Sequence, residues 1–297
     1  MRTIVVTGAN GQLGRSLRRM SVFNHTDRFL FTDVDTLNLC NRHAVLQYMQ
    51  HTQPAYILNC AAYTAVDKAE TEEAVVQYIN CVTVSYLAEA ARAVGARLIH
   101  ISTDYVFDGT SCRPYVETDQ PHPVSAYGRT KLDGEEYLTQ ICPNAVIIRT
   151  AWLYSEYGHN FLKTMLRLGQ EREELRVVFD QVGSPTYASD LAMAMLTLIE
   201  KGHQGKWVPG IYHYSNEGVC SWYDFTVEIM RVAGLPCRVL PIESKEYPSP
   251  GARPPYSVLN KRKIKETYGL QIPHWADSLA KCIHILSCIK CIYQSYI

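Results

Sequence analysis

Short apolar runs alternate with longer amphipathic stretches through the first half of this chain. The apolar runs are rich in Val, Ile, Leu or Phe, as buried parallel strands are, and they occupy residues 3–7, 29–32, 56–60, 97–102 and 145–149. Between them, helices are predicted at residues 13–20, 43–50, 72–94 and 127–140. Because parallel strands need long crossover connections, this alternation predicts an α/β fold with a doubly wound parallel sheet.

A glycine-rich turn follows the first predicted strand directly and opens the first helix. Its residues are Gly8, Ala9, Asn10, Gly11, Gln12, Leu13 and Gly14. Glycines let the backbone turn sharply and approach a pyrophosphate, while the helix N-terminus supplies free N–H groups and a positive dipole end. The alternative is a tight strand–helix turn without a ligand. The position after the opening strand favours dinucleotide binding in a Rossmann-type sheet.

The pattern changes after about residue 150. Prolines and glycines cluster at residues 208–210 and at residues 247–255, and the second cluster excludes a helix or an inner strand. Amphipathic helices are predicted at residues 160–171, 188–201 and 222–233. We therefore expect a dinucleotide-binding domain at residues 1–150 and a smaller substrate-binding lobe formed mainly by residues 151–297. Part of residues 176–202 is expected to pack back on the sheet.

Two charged residues bear on the choice of nicotinamide cofactor. Asp33 ends the second predicted strand, 19 residues beyond Gly14. A carboxylate there accepts hydrogen bonds from the adenosine ribose hydroxyls, which favours a cofactor without a 2′-phosphate. Arg15, at the start of the first helix, could instead pair with a 2′-phosphate. The sequence therefore leaves NADH and NADPH both open.

A tyrosine and a lysine with the spacing of one helical turn form the predicted chemical centre. Tyr127 and Lys131 lie on one face of a helix. A phenol with a pKa near ~10 is a poor acid–base group at neutral pH, and a neighbouring ammonium lowers that value. Thr103, 24 residues upstream of Tyr127, ends a predicted strand at the sheet edge where open α/β folds bind ligands. The set predicts hydride transfer to a carbonyl, with Tyr127 as general acid and Thr103 orienting the carbonyl oxygen.

Charge, hydropathy and cysteine content exclude several classes of protein. Basic and acidic residues number 29 each, so no basic surface for nucleic acid is predicted. No stretch approaches the roughly 18 apolar residues of a membrane span, and the N-terminal apolar run is too short for a signal peptide. Ten cysteines without a secretory signal favour reduced thiols. We expect a cytoplasmic protein without nucleic-acid or membrane partners.

The C-terminal tail is rich in cysteine. Cys288 and Cys291 are the only Cys-x-x-Cys pair in the sequence, and a zinc site would need a second ligand pair. We therefore predict no metal site. Apolar residues at helical spacing favour a terminal packing helix instead, and they are Cys282, Ile283, Ile285, Leu286, Ile289 and Ile292.

The ordered motifs resemble those of the dTDP-4-dehydrorhamnose reductase family, within the extended short-chain dehydrogenases. Two strings are much more specific than the glycine turn: Asn-Cys-Ala-Ala-Tyr-Thr-Ala-Val-Asp-Lys-Ala-Glu at residues 59–70 and Ser-Thr-Asp-Tyr-Val-Phe-Asp-Gly at residues 102–109. The similarity continues at residues 127–131, 149–154, 160–161, 180–186 and 222–225 and ends near residue 254. It covers nearly the whole chain.

The resemblance implies reduction of the 4-keto group of dTDP-4-dehydro-L-rhamnose to dTDP-L-rhamnose, usually with NADPH, for surface polysaccharide. It implies that Thr103, Tyr127 and Lys131 are catalytic. The implied cofactor contacts are Gly8, Asn10, Gly11, Gln12, Leu13, Gly14, Asp33, Ala62, Tyr63, Thr64, Tyr127 and Lys131. The implied substrate contacts are Thr103, Asp104, Trp152, Asn160 and Arg253. Trp152 also suits a flat apolar wall, and Arg253, in a proline-rich loop, suits a bidentate clamp on a diphosphate.

The resemblance leaves other questions open. Some family members join subunits through magnesium held by acidic residues, one of them on the first helix. Ser16 stands at that position here, so bound magnesium is not expected, and a homodimer stays open. A sugar-nucleotide epimerase would share the fold and the Tyr/Lys pair but recycle its bound NAD. A non-enzymatic subunit resembling the regulatory subunit of methionine adenosyltransferase is a further alternative, and the complete catalytic set argues against it.

Overall fold

The structure, a computed structural model, describes the backbone of residues 1–294 and the side chains of residues 1–288. Its strands are β1 (Arg2–Thr7), β2 (Asp27–Phe31), β3 (Tyr56–Asn59), β4 (Arg97–Thr103), β5 (Val146–Thr150), β6 (Leu153–Tyr154), β7 (Glu174–Val178), β8 (Val182–Gly183), β9 (Thr186–Tyr187), β10 (Gly210–Tyr214), β11 (Cys220–Ser221) and β12 (Arg238–Ile242). Its helices are α1 (Gln12–Ser21), α2 (Arg42–Thr52), α3 (Val66–Ala69), α4 (Glu73–Gln77), α5 (Thr83–Val94), α6 (Ala126–Ile141), α7 (Phe161–Glu171), α8 (Ala188–His203), α9 (Trp222–Ala233), α10 (Arg262–Tyr268) and α11 (Trp275–Gln294).

Six parallel strands form the central sheet, in the order β10-β5-β4-β3-β1-β2. Side chains of each strand alternate between its two faces, so Ile4 and Val6 join one apolar core and Val5 joins the other. Residues of α1, α8 and α10 complete the first core, and residues of α2, α5 and α6 complete the second. The predicted doubly wound parallel sheet is confirmed.

The sixth strand was not predicted from the sequence. Pro209 precedes it and Gly210 begins it, so the apolar run that follows is short and flanked by turn residues. In the structure β10 pairs in parallel with β5, from Gly210 beside Val146 to Tyr214 beside Thr150. An edge position tolerates the preceding proline, because the outer side of the strand needs no backbone donor.

The long helix predicted at residues 72–94 is interrupted. A π-helical turn at Tyr78–Val82 separates α4 from α5. Asn80 lies in this turn, is buried, and points its amide at the backbone of Tyr63. Turns of this kind often occur at functional sites, since they redirect one side chain without ending the helix. A π-helical turn contains one residue more than an α-helical turn, and the periodicity of apolar residues in the sequence does not reveal this insertion.

The second half of the chain contributes both to the sheet and to a separate cluster. Leu191, Met195 and Leu198 of α8 are fully buried against the central sheet. A further apolar cluster joins α7, α9 and α11 with the parallel pair β7–β12. Residues of α8, β10 and α10 therefore belong to the core of the central sheet, although they follow residue 150. The division into domains at residue 150 stays a prediction.

The C-terminal residues form the helix α11, as the apolar periodicity predicts. Cys282 and Ile283 are buried in the cluster with α7 and α9, and Ile285 and Leu286 are partly buried. The predicted apolar contacts of Ile289 and Ile292, and the side chain of Cys291, lie outside the described residues. Within the described part of the chain, no helix is long and apolar enough to cross a membrane.

Candidate active site

The glycine turn is packed so closely that two of its glycines have no room for a side chain. Gly8 has a φ of +64°, and a Cβ there would lie 2.6 Å from the backbone nitrogen of Ala61. A Cβ on Gly14 would lie 2.4 Å from the carbonyl oxygen of Gly8. Gly11 caps α1 without a side chain, so it offers no acceptor to the first N–H groups of the helix. The start of α1 is therefore without a side-chain cap, and the binding of a pyrophosphate at this turn stays a prediction.

Asp33 and a group of arginines border this turn. The Asp33 carboxylate accepts the N–H of Asn10 at 2.8 Å. The Arg15 guanidinium lies over the Tyr157 ring and the Arg18 guanidinium over the Phe31 ring. The adjoining cavity measures about 540 Å³ and is lined by Asn10, Arg15, Arg18, Arg19, Val22 and Tyr157. The three arginines that line it give it a positive charge, which suits an anionic group.

Three of the predicted cofactor residues follow β3. The backbone of Tyr63 is held by Asn80, whose side-chain oxygen accepts the Tyr63 N–H at 2.8 Å and whose nitrogen donates to the Tyr63 carbonyl at 3.1 Å. Tyr63 and Tyr127 both pack against a small buried cluster that includes Ala126 at the start of α6. The segment from Ala62 to Thr64 is therefore placed beside the start of α6.

Two glycines let α6 lie directly on the backbone beneath it. A Cβ on Gly128 would lie 2.2 Å from the carbonyl oxygen of Tyr105, and one on Gly134 would lie 2.3 Å from the carbonyl oxygen of Asn80. Ser125 caps the helix by accepting the N–H of Gly128 at 3.1 Å. This close approach brings the first two turns of α6 to the carboxyl end of β4.

Thr103 and Tyr127 meet at this edge of the sheet. The Thr103 hydroxyl donates to Asp104 Oδ1 at 3.1 Å and accepts the N–H of Tyr105 at 3.2 Å. Burial raises the pKa of Tyr127 to about 12, and the nearby Thr103 hydroxyl acts in the opposite direction. The phenol therefore keeps its proton at neutral pH, and the lowering of its pKa that the sequence predicts from the Lys131 ammonium is not found.

Lys131 is almost fully buried one turn along the same helix. Its Nζ donates to the carbonyl oxygen of Ile101 at 2.7 Å and lies 3.3 Å from Nε2 of His100. Burial lowers the pKa of Lys131 to about 8, while the Glu135 carboxylate acts in the opposite direction. The lysine thus changes its charge close to neutral pH.

Asp104 places a buried carboxylate oxygen beside this group. The residue is 2% exposed, and its Oδ2 has no hydrogen-bond partner among the described residues. Burial raises the pKa of Asp104 to about 6, and the nearby hydroxyls of Ser257 and Thr103 act in the opposite direction. A buried acceptor without a partner is costly, so a ligand hydroxyl is a suitable partner for it.

Trp152 forms a rigid aromatic wall. Its φ of +47° is unusual for a residue with a side chain. The ring stacks on Trp222 with centroids 3.5 Å apart and planes 7° apart. A Cβ on Gly183 would lie 2.7 Å from the ring, so glycine is required there. The contacts with Trp222 and Gly183 hold Trp152 in this strained conformation, and such strain is common at ligand-binding positions.

The amide of Asn160 is already fully engaged. Its oxygen caps α7 by accepting the N–H of Lys163, and its nitrogen donates to Gln12 Oε1 at 2.9 Å. Gln12 Oε1 also accepts the hydroxyl of Ser155. These bonds tie the glycine turn to the loop before α7. The substrate contact of Asn160 stays a prediction, and the Leu13 side chain is buried in the core, so its predicted cofactor contact concerns the backbone.

Arg253 reaches from the proline-rich loop to the helix α3. Its Nη2 pairs with Asp67 Oδ2 at 3.1 Å, and its Nη1 donates to the carbonyl oxygen of Gly251 at 3.0 Å and to the hydroxyl of Ser249. The positive charge also acts on the hydroxyl of Tyr105, whose ring lies edge-on to that of Tyr127. Arg253 therefore lies at the same edge as the Tyr/Lys pair.

Similarity to known proteins assigns the chain to a family. The family model for the RmlD substrate binding domain matches residues 1–288. A dTDP-4-dehydrorhamnose reductase of Aggregatibacter actinomycetemcomitans is 41% identical over 286 residues, which cover 94% of this chain and 97% of that protein. The chain belongs to this reductase family.

Solved structures of the dTDP-4-dehydrorhamnose reductase family agree with the fold. The reductase of Clostridium acetobutylicum is 42% identical, with a TM-score of 0.91 over 96% of this chain and 99% of that one. The reductase of Bacillus anthracis, in complex with NADP, is 40% identical, with a TM-score of 0.90 over 95% and 98%. The predicted family and Rossmann-type fold are confirmed, and the chain is an oxidoreductase of the NADP-dependent class.

Several residues at the site were missed by the sequence analysis. Gly128 and Asn80 place α6 and Tyr63, and Trp222 covers one face of Trp152. Asn59 and His100 form a buried polar pair behind Lys131. A signal for these last two was present, because a polar side chain within or at the end of an apolar strand must find a partner inside the protein.

Proposed function

We propose that this chain reduces the 4-keto group of dTDP-4-dehydro-β-L-rhamnose to dTDP-L-rhamnose with NADPH, in the cytoplasm. The observation that carries the proposal is the placement of a protonated Tyr127 beside Thr103, one helical turn from Lys131, at the carboxyl edge of the sheet. The names of the relatives supply the substrate, and reduction of its keto group gives the proposed product. The nine cysteines whose side chains are described are all free, which agrees with a reducing compartment.

The residues present fit a nicotinamide dinucleotide. Gly11 begins α1 without a side-chain cap, so the first N–H groups of the helix can donate to the pyrophosphate. Arg15 and Arg18 lie in a cavity that suits a 2′-phosphate, which favours NADPH over NADH. When bound, this cofactor supplies the hydride.

The protein's own groups complete the reduction. As hydride reaches the carbonyl carbon, negative charge develops on the carbonyl oxygen, and Tyr127 donates its proton there as general acid. The Thr103 hydroxyl orients the same oxygen. Below a pH of about 8 the Lys131 ammonium stabilises the phenolate that remains. General acid catalysis of this kind contributes on the order of 10²–10⁴ in rate.

Three further residues suit the nucleotide sugar. Asp104 Oδ2 offers a buried acceptor to a sugar hydroxyl, and Trp152 presents an apolar wall. Arg253 provides a guanidinium for the diphosphate, provided that the anion shares or displaces Asp67. These roles follow from the chemistry of each group and its place at the sheet edge.

The test is a reaction of the purified protein with enzymatically prepared dTDP-4-dehydro-L-rhamnose, followed by the absorbance of NADPH and then of NADH. We expect loss of reduced cofactor matched mole for mole by dTDP-L-rhamnose, identified by NMR, with NADPH the better reductant. Conversion of a dTDP-sugar without net loss of reduced cofactor would instead indicate an epimerase. No turnover with either cofactor, despite measurable cofactor binding, would overturn the proposed reaction.

A further inference from the structure

His100 is a fully buried titratable residue in the middle of β4, between Ile99 and Ile101. Its Nε2 lies 3.3 Å from Nζ of Lys131, and its Nδ1 lies 2.9 Å from the side-chain nitrogen of Asn59. The mechanism proposed above does not use it. The question is which nitrogen of the ring carries the proton, because this decides what the ring offers to the lysine.

Asn59 determines which ring nitrogen of His100 carries the proton. Its Oδ1 accepts the backbone N–H of Ala61 at 3.2 Å and the hydroxyl of Thr7 at 2.7 Å. A backbone N–H can only donate, so the oxygen of the amide must face Ala61 and its NH₂ group must face His100. That NH₂ group can only donate as well, so His100 Nδ1 must accept. A neutral ring then carries its proton on Nε2, directed at Lys131.

An ammonium on Lys131 conflicts with this arrangement. The –NH₃⁺ group has three donors and no acceptor, so it would face the Nε2–H of His100 donor to donor. A neutral amine has a lone pair that accepts the Nε2–H and keeps an N–H for the carbonyl oxygen of Ile101. Burial acts in the same direction, lowering the pKa of Lys131 to about 8 and that of His100 well below its ordinary value.

The other groups around Lys131 do not reverse this preference. Glu135, one turn further along α6, raises the lysine's pKa, but its carboxylate is bound by Arg149 at 2.6 Å and by the Ser102 hydroxyl at 2.5 Å. Tyr127, one turn earlier, is a neutral phenol. On the far side of the His100 ring lies the neutral amide of Asn59, which is itself bound by the neutral hydroxyl of Thr7.

We propose that His100, held by Asn59 in the Nε2–H form, is a positioning residue that sets the charge of Lys131. Its relevance to catalysis rests on the proposed reductase function, whereas its effect on the lysine does not. The consequence is that Lys131 gains and loses its proton within the working pH range of an enzyme, instead of far above it. A group that titrates there can exchange protons during turnover.

The test compares two substitutions at this position. His100→Asn places an amide oxygen where Nδ1 was, so Asn59 keeps its acceptor while the donor facing Lys131 is removed. His100→Gln places an amide near the former Nε2, where its oxygen can accept from an ammonium. His213→Asn is the matched control, because His213 is equally buried but lies on β10 and contacts the carbonyl oxygen of Tyr115.

The readout is NMR titration of ¹³C-labelled lysine in the whole protein without substrate, with Lys131 identified by its loss in Lys131→Met. We expect its midpoint near pH 8 in the wild type and in the control. In both His100 variants it should rise by about one pH unit or more, a tenfold change in the proton dissociation constant. An unchanged midpoint in a folded His100 variant would overturn the proposal.

Two additional measurements test the effect of His100 on Lys131 separately from the proposed reductase function. ¹⁵N spectra of the wild type should show His100 with its proton on Nε2, and the Nδ1–H form would refute the inference even if neither variant folds. If the protein turns over substrate, the lysine-dependent limb of the kcat profile should move to higher pH in both variants. Absence of turnover would count against the proposed reaction, while the lysine titration would still decide the role of His100.

Discussion

At the scale of single residues, burial acts in opposite directions on three titratable groups at one edge of the sheet. It raises the pKa of Tyr127 to about 12 and that of Asp104 to about 6, and it lowers the pKa of Lys131 to about 8. The cause is the same in each case, because low polarity disfavours whichever form carries charge. Burial therefore moves the pKa values of Asp104 and Lys131 toward neutral pH and moves that of Tyr127 further above it.

Replacing Tyr127 with Phe tests the proton donor. The change removes only the hydroxyl, so we expect kcat to fall by about 10²–10⁴ while the dissociation constant of NADPH stays near that of the wild type. Steady-state kinetics and cofactor titration measure the two effects. Tyr137→Phe, on the exposed side of the same helix, is the control and should leave kcat unaltered. Unchanged turnover in Tyr127→Phe would remove this residue from the mechanism.

Asp104→Asn tests the buried carboxylate through stability. The folded-state pKa of about 6 lies above the unfolded value, so the contribution of Asp104 is complete at low pH and is lost as the pH rises through 6. Asn does not titrate. The free energy of unfolding of the variant, relative to the wild type, should therefore increase by about 1–3 kcal/mol between pH 4 and pH 8. Urea unfolding at both pH values measures this, and a pH-independent difference would contradict it.

At the scale of elements, the position of α6 depends on two glycines where the helix contacts the backbone beneath it. Gly128 and Gly134 remove the two side chains that would hold the helix away from the backbone of the turn after β4 and from the π-helical turn. Helix packing distances depend on the side chains at the contact, so a single methyl group there changes the position of everything the helix carries. Tyr127 and Lys131 are both on its first two turns.

Gly128→Ala should therefore affect both stability and activity. Its Cβ would lie 2.2 Å from the Tyr105 carbonyl oxygen, which forces the helix to shift and costs about 1–3 kcal/mol of unfolding free energy. We expect kcat to fall as well, because Tyr127 moves with the helix. Thermal unfolding and steady-state kinetics measure both. Glu136→Ala, at an exposed position of α6, is the control, and equal stability in the two variants would show that the contact is not restrictive.

At the scale of the whole molecule, contacts distant in sequence join the two predicted regions. Gln12 in the glycine turn accepts hydrogen bonds from Ser155 and Asn160 before α7. Arg253 in the proline-rich loop pairs with Asp67 of α3, 186 residues away. Each contact joins a residue before position 150 to a residue after it, near the proposed ligand-binding cleft. The geometry of the cleft is therefore a property of the complete fold.

Arg253→Ala tests the proposed diphosphate clamp. Loss of charge-assisted hydrogen bonds worth about 1.5–3 kcal/mol should raise the dissociation constant of dTDP by about 10- to 100-fold. Isothermal titration calorimetry measures it directly. Asp67→Asn frees the same guanidinium and should leave dTDP binding intact or stronger, whereas equal weakening in both variants would mean that Arg253 acts only by holding the loop. Arg231→Ala, at an exposed pair with Glu228, is the unaffected control.

Local patterns were sufficient for much of the fold. The five apolar runs of the first half are strands, as expected for short runs rich in Val, Ile and Leu that are buried on both faces of a sheet. The helices bearing Leu13, Val45 and Leu138 followed from their periodicity. The family could be inferred as well, since two specific strings around Asp67 and Asp104 carry it. These signals lie within short segments, so no knowledge of distant contacts is needed to read them.

The sequence by itself determined the fold class, the family and the candidate Tyr127–Lys131 pair, because each depends on residues close together in the chain. Only the tertiary structure decided that β10 joins the sheet, that Asn80 turns inward from a π-helical turn, and that Asn59 fixes the ring of His100 behind Lys131. These features depend on pairs of residues 17 to 64 positions apart, such as Tyr63 with Asn80 or Val146 with Gly210. Which of many polar groups meet inside a core is decided by packing, since only there must every buried donor and acceptor find its partner.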